Sequence, residues 1–238
     1  MLRRLAIALV TALTSIPAQA QKDGPSCTIP ERLPEARRES PPAGEVVNIR
    51  PTQNLLALSW SPEFCKRNGD KPEHRLQCSG EAGKFGFILH GLWPDVAGKR
   101  DPAYCRPAKA LPKNLIRQHF CMTPSPDLRQ HEWAKHGTCA TDDPERYFKA
   151  ASLLYSALNF PDMDYLSRRR VTVSSLTAAF ASRNPGLRPN MIAVKMDGQG
   201  WLQDVRLCLD ANMRPKPCSP EDRGAKPTRF IKIWRGGR

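Results

Sequence analysis

The stretch HEWAKHGTC, residues 131–139, gathers two imidazoles, a carboxylate and an ammonium group, then follows them with a glycine and a cysteine. Imidazole gives or takes a proton near neutral pH, and a fixed ammonium offsets negative charge as it develops, so the cluster suits acid–base work on an anion. If residues 127–136 are helical, at about 100° per residue His131, Lys135, Glu132 and His136 stand at roughly 0°, 40°, 100° and 140° and share a face. Trp133 and Ala134 then turn to the core, and Gly137 stops the helix. The bland alternative is a solvated helix face on which Glu132 and His136 pair at i,i+4. Zinc is a poor match, because H-E-x-x-H sets its imidazoles four apart and His131 and His136 are five apart.

A further imidazole lies upstream in KFGFILHGLWP, residues 84–94. Phe85, Phe87 and Leu89 alternate with Gly86, Ile88 and His90, which places His90 at the end of a strand. Before it, NLLALSWSPEFC (54–65) reads as a buried strand that enters a loop at Ser61-Pro62. Residues 95–126 read as loop, with a short helix over Leu115 to Phe120. Asp143 caps a helix with Pro144 in its first turn and Tyr147, Phe148, Ala151, Leu154, Tyr155 and Leu158 on its apolar face. Ser174 or Ser175 caps another that runs to Asn184-Pro185-Gly186. MIAVKM, the turn DGQG and WLQDVRLCL form a hairpin, and RFIKIW (229–234) a last strand. Strands and helices do not alternate strictly. The expected class is α+β, a central mainly antiparallel sheet flanked by helices in a single disulfide-stapled domain.

The 238 residues carry a formal net charge of +14. Met1 to Arg4 is basic, Leu5 to Ile16 is apolar but too short to span a bilayer, and Ala18-Gln19-Ala20 is a small-x-small cleavage signal. Residues 1–20 therefore read as a secretory signal peptide of the general route, despite Arg3-Arg4. No later stretch is apolar enough for a membrane helix. Residues 21–50, rich in Pro, Glu, Arg and Ser, read as a flexible leader tied at Cys27, and residues 51–238 as the folded domain. A basic exported chain attracts polyanions. Eight cysteines without a C-x-x-C pair point to disulfides rather than metal. Their connectivity is not readable from spacing, since eight cysteines allow about 105 pairings.

FILHGLWPD (87–95) and QHEWAKHGTC (130–139) resemble the two active-site segments of the ribonuclease T2 family, secreted endoribonucleases that cleave RNA through a cyclic phosphate. LALSWSPEFC and the disulfide-rich build resemble bacterial members, and the likeness spans roughly residues 52–234. The resemblance implies a general acid at His90, a general base at His136 and a phosphate-binding imidazole at His131. It implies that Glu132 and Lys135 orient and stabilise the phosphorane, and that Trp93 and Asp95 form a pocket for the base on the 5′ side of the cut. It also implies Cys105 with Cys139, a closure worth about 4 kcal/mol on the chain-entropy account, and Cys208 with Cys218. Cys65 with Cys78 follows from proximity, and Cys27 with Cys121 by elimination.

The expectation is thus a monomeric enzyme, exported to a periplasm or beyond, that cleaves single-stranded RNA with no cofactor. The 2′-oxygen is tethered beside the phosphorus, so attack is intramolecular, and each proton partner would contribute about 10²- to 10⁴-fold. Activity should be bell-shaped in pH, its centre depending on whether Glu132 raises His136 more than Lys135 lowers it. The rival from another class is a secreted RNA- or polyanion-binding protein that acts without catalysis. A metal-dependent phosphodiesterase is a weaker third. Arg168-Arg169-Arg170 reads as a solvated charge run without an assigned role, and His74 and His119 read as exposed.

Overall fold

The computed structural model of the chain describes residues 27–236. The signal peptide read over residues 1–20 lies outside them. Four antiparallel strands, β1 (Gln53–Trp60), β2 (Phe87–Asp95), β4 (Ile192–Met196) and β5 (Leu202–Asp210), form the central sheet in the order β2-β1-β5-β4. A second ladder pairs β3 (Val171–Thr172) with β6 (Phe230–Ile231). The helices are α1 (Ser61–Asn68), α2 (Arg75–Cys78), α3 (Lys113–Gln118), α4 (Pro126–Glu132), α5 (Thr138–Ala140), α6 (Pro144–Ser156), α7 (Met163–Ser167) and α8 (Val173–Arg183). The α+β class and the antiparallel sheet are those expected.

Strand alternation sets the layers. Leu56, Leu58 and Trp60 of β1, Leu89 and Leu92 of β2 and Val205 and Leu207 of β5 bury against Phe148 of α6 and Leu176 and Phe180 of α8. Asp143 caps α6 by accepting from the Glu145 N–H at 2.9 Å, and the Tyr147 hydroxyl donates to the Leu92 carbonyl at 2.9 Å, seating α6 on β2. The opposite face carries a smaller apolar cluster, Leu55, Ala193 and Cys208, beside its polar groups.

Several local expectations are corrected. The chain passes from β1 directly into α1 rather than a loop, because Pro62 stands in the first helical turn, where its missing N–H costs nothing. β2 does not end at His90 but runs on to Asp95. α8 is capped by Thr172, whose reciprocal partner is Ser175. Gly137 does not stop a helix: the chain goes on through a π-helical turn, Trp133–Gly137, into α5. Glycine is required there for another reason, since a Cβ at 137 would drive into the Trp133 ring and lie 3.0 Å from Tyr147. His119 is buried, its Nδ1 2.8 Å from Ser152 Oγ, and burial pushes its pKa down to about 4. His74 is half-buried, edge-on to Phe64.

Disulfides join Cys27–Cys121, Cys65–Cys78, Cys105–Cys139 and Cys208–Cys218. Residues 27–50 have almost no regular structure, yet they are pinned along the body. Thr28 donates to the Ala82 carbonyl at 2.9 Å, Arg37 pairs with Asp127 at 2.7 Å, and Val47 exchanges two backbone bonds with Ala103.

Candidate active site

Two irregularities bring the histidines together. Across β1 and β2, Ala57 pairs with Gly91 and Leu58 with Leu89, so His90 is the extra residue of a β-bulge. Leu89 and Leu92 consequently both face the core, while His90, Gly91 and Trp93 share the other side. Across from them, the Thr138 N–H reaches the Trp133 carbonyl five residues back. That wider turn carries His136 further toward the side of Glu132 than regular α-helix would.

Glu132 is the centre of the cluster, 1% exposed. Its Oε2 accepts from the Trp93 indole N–H at 2.7 Å, and its Oε1 lies 3.3 Å from His90 Nε2. The carboxylate occupies the place where a Cβ on Gly91 would be, so the residue after His90 must lack a side chain. Both imidazoles then pack on the same indole. The His136 ring stacks on Trp93 with centroids 5.2 Å apart and planes at 26°, and the His90 ring meets it edge-on, also at 5.2 Å.

The surroundings of the two rings push their pKa values in opposite directions. The Ser59 hydroxyl spends its one proton on Asp204 Oδ1, 2.6 Å away, so it can only accept from His90 Nδ1 at 2.7 Å. With Nε2 facing Glu132, both ring nitrogens of His90 address acceptors, the arrangement an imidazolium needs. Burial works to lower its pKa, but Glu132 and Asp204 outweigh it and hold His90 at about 10. For His136 burial wins, with the positive charges of Lys135 and His90 on its side and Glu132 against it, and its pKa falls to about 4. Its Nδ1 is buried without a hydrogen-bond partner among the described residues. Glu132 itself stays ionised: burial raises its pKa, but the charge of His90 outweighs that and leaves it below the usual carboxylate value.

His131 and Lys135 lie on the side of the cluster crossed by residues 27–50, which form a strap over the body. His131 Nδ1 meets both Glu39 oxygens at 2.8 and 3.0 Å, and Lys135 Nζ lies 3.5 Å from Glu45. Tyr104 donates its hydroxyl to Glu39 at 2.5 Å and its N–H to the Lys135 carbonyl at 2.8 Å. Asp95 is set apart. It is 3% exposed, accepts from Gln53, and burial with Asp101 alongside raises its pKa to about 6.

Residues 52–218 match the ribonuclease T2 family. The chain belongs to that family. It is 40% identical over 119 residues to a probable ribonuclease of Haemophilus influenzae, a match that takes in 45% of this chain and 43% of that one, less than half of the relative's length. It is 37% identical over 162 residues to a ribonuclease of Aeromonas hydrophila, with 65% of this chain and 70% of that one aligned. The fold is shared with an RNase-related protein from Calystegia sepium, at a TM-score of 0.59 and 21% identity over 77% of this chain and 97% of that one.

In this ribonuclease T2 member His90, Trp93, Glu132 and His136 form one contact group, His131 and Lys135 border it, and Asp95 makes no hydrogen bond or ion pair to it among the described residues. Sequence reasoning missed Ser59, Asp204, Arg206 and Glu39. Ser59 and Asp204 are cross-strand partners in the β1–β5 register, and the Arg206 guanidinium lies 4.6 Å from the centre of the Trp93 ring. The one signal was a serine inside the otherwise apolar LALSW.

Titration of the histidine ring protons by NMR should find His136 neutral down to about pH 4 and His90 charged up to about pH 10. Glu132→Gln removes an adjacent negative charge and should lower the His90 midpoint by about 1–3 units. Two rings that both titrate near the ordinary histidine value would contradict the arrangement.

Proposed function

We propose that the protein is an exported, monomeric endoribonuclease that cleaves single-stranded RNA without a metal. The product is a 2′,3′-cyclic phosphate, opened later to a 3′-phosphate. The observation that carries the reading is the pair of imidazoles, His90 and His136, packed on one indole.

His136, uncharged, takes the proton of the ribose 2′-hydroxyl as its oxygen attacks the neighbouring phosphorus. His90, charged, protonates the departing 5′-oxygen. Opening of the cyclic ester reverses the roles, with water in place of the 5′-hydroxyl. Lys135 and His131 bear the charge on the non-bridging oxygens, and each well-aimed donor is worth about 3–4 kcal/mol. Glu132 is too deeply buried to meet the phosphate directly. It acts as a positioning residue that keeps His90 protonated, and Ser59 with Asp204 fixes the same ring from the other nitrogen. Trp93 carries both imidazoles, and a base reaches its ring where Arg206 now lies over it, while Asp95 shapes the chain behind it. DNA, which lacks the 2′-hydroxyl, binds but survives. Four disulfides suit an oxidising compartment such as a periplasm or the exterior.

Incubation with a defined oligoribonucleotide in excess chelator, followed by mass analysis of the new ends, should show cyclic phosphates first and 3′-phosphates later. His90→Phe and His136→Phe should each lose about 10²- to 10⁴-fold in rate. Cleavage of RNA and DNA alike that stops on chelation would overturn the reading in favour of a metal enzyme. A biological effect that survives both substitutions would assign the function to binding.

The strap adds a second expectation. A substrate phosphate must displace Glu39 from His131, so Glu39→Gln should lower KM by up to about fivefold, the scale of a half-exposed ion pair of about 1 kcal/mol. A higher KM would mean that Glu39 orients His131 rather than competing for it.

A further inference from the structure

The arginine run after α7 is exposed, as a solvated charge run would be, but two of its members also line a cavity. Pairing of β3 with β6 carries Arg169 and Arg170 alongside residues 230–236, and backbone bonds from Lys232 to Gly200 and from Leu202 to Lys232 draw in Trp201 from the β4–β5 turn. Together they enclose an open cavity of about 600 Å³, within the roughly 300–1,000 Å³ of ordinary ligand pockets. No residue of the histidine cluster lines it.

Its composition is one-sided. Arg169, Arg170, Lys232 and Arg235 line it, and among the described residues no Asp or Glu does. Arg168, the first of the run, is held outside the cavity by Asp164 at 3.0 Å. Arg169 and Arg170 instead lie over the Tyr165 and Phe230 rings at 4.1 and 4.3 Å. Phe230 is 55% exposed, and Trp234 and Trp201 meet edge-on at 5.9 Å beside Lys66. Like charges gathered with no carboxylate in the lining repel each other, and an anion that enters relieves them. Flat rings set between the cations add surfaces on which bases stack.

We propose that this cavity is a second binding site, for single-stranded RNA, which holds a part of the strand away from the bond being cut. Phosphates rest on Arg169, Arg170, Lys232 and Arg235, and a base stacks on Phe230. The inference rests on the proposed ribonuclease function for its choice of ligand, but not on catalysis.

The probe is therefore a fluorescent 2′-O-methyl oligoribonucleotide of mixed sequence, which binds but offers no 2′-hydroxyl to attack. Its Kd is measured with the full protein over a range of salt. The double variant Arg169→Ser with Arg170→Ser should weaken binding and reduce the log–log salt slope by about 1.4, at roughly 0.7 for each of two phosphates no longer neutralised. Arg168→Ser removes an equal charge just outside the cavity and should leave the slope within a few tenths of wild type. Phe230→Ala should raise Kd about fivefold or more for the base-bearing strand and leave an abasic strand of equal length unaffected. Because the Phe230 ring is exposed, this arm stands even if the double arginine variant fails to fold. Unchanged Kd and slope in the double variant, or equal loss for Arg168→Ser, would overturn the site. A Phe230→Ala effect shared by the abasic strand would overturn RNA as its ligand and leave a general polyanion groove.

Discussion

An ionised carboxylate excluded from water is the constraint around which the rest is arranged. Burying Glu132 alone would cost several kcal/mol, and the chain offsets this with the indole N–H of Trp93 and the imidazolium of His90. Each partner then inherits a requirement. Gly91 must have no side chain, Trp93 must turn its nitrogen inward, and His90 must keep its proton. The letters H-G-L-W and the glutamate after His131 thus describe one physical object. The same negative charge pulls on His136, but burial of that ring is stronger, and one environment shifts two identical side chains in opposite directions.

The sheet makes this possible by breaking its own regularity. One extra residue in β2 lets leucines on both sides of His90 stay in the core while the imidazole crosses to the polar face, where β1 and β5 present Ser59 and Asp204. One extra residue in the helical turn opposite does the same for His136, and the Cys105–Cys139 bond anchors the end of that turn. The Tyr147 hydroxyl, bonded to the backbone of Leu92, keeps the two halves in register from the core side.

Much of the site was legible because its residues are local. His131, Glu132, Lys135 and His136 are read from six consecutive positions, and their shared face survives the change from α to π geometry. The elements were legible where period and caps agreed, as in α6 with Asp143 and Pro144. The bulge and the π turn were not, because a single inserted residue defeats a periodic pattern. The leucines three apart around His90 and the histidines five apart were the visible traces. Ser59 and Asp204 were hidden for a different reason. They lie 145 residues apart in the chain, and no local rule states which strands become neighbours. The strap was hidden by composition, since a Pro- and Glu-rich segment is polar whether it floats or pairs with His131 and Lys135.

The central claim is the division of labour between two rings, and a change to the substrate tests it most directly. Sulfur in place of the bridging 5′-oxygen departs as a thiolate and needs no proton. His90→Ala, slowed by about 10²- to 10⁴-fold on the ordinary linkage, should recover to within roughly tenfold of wild type on the sulfur linkage, while His136→Ala stays slow. Recovery of His136→Ala, or of neither variant, would contradict the assignment of acid and base.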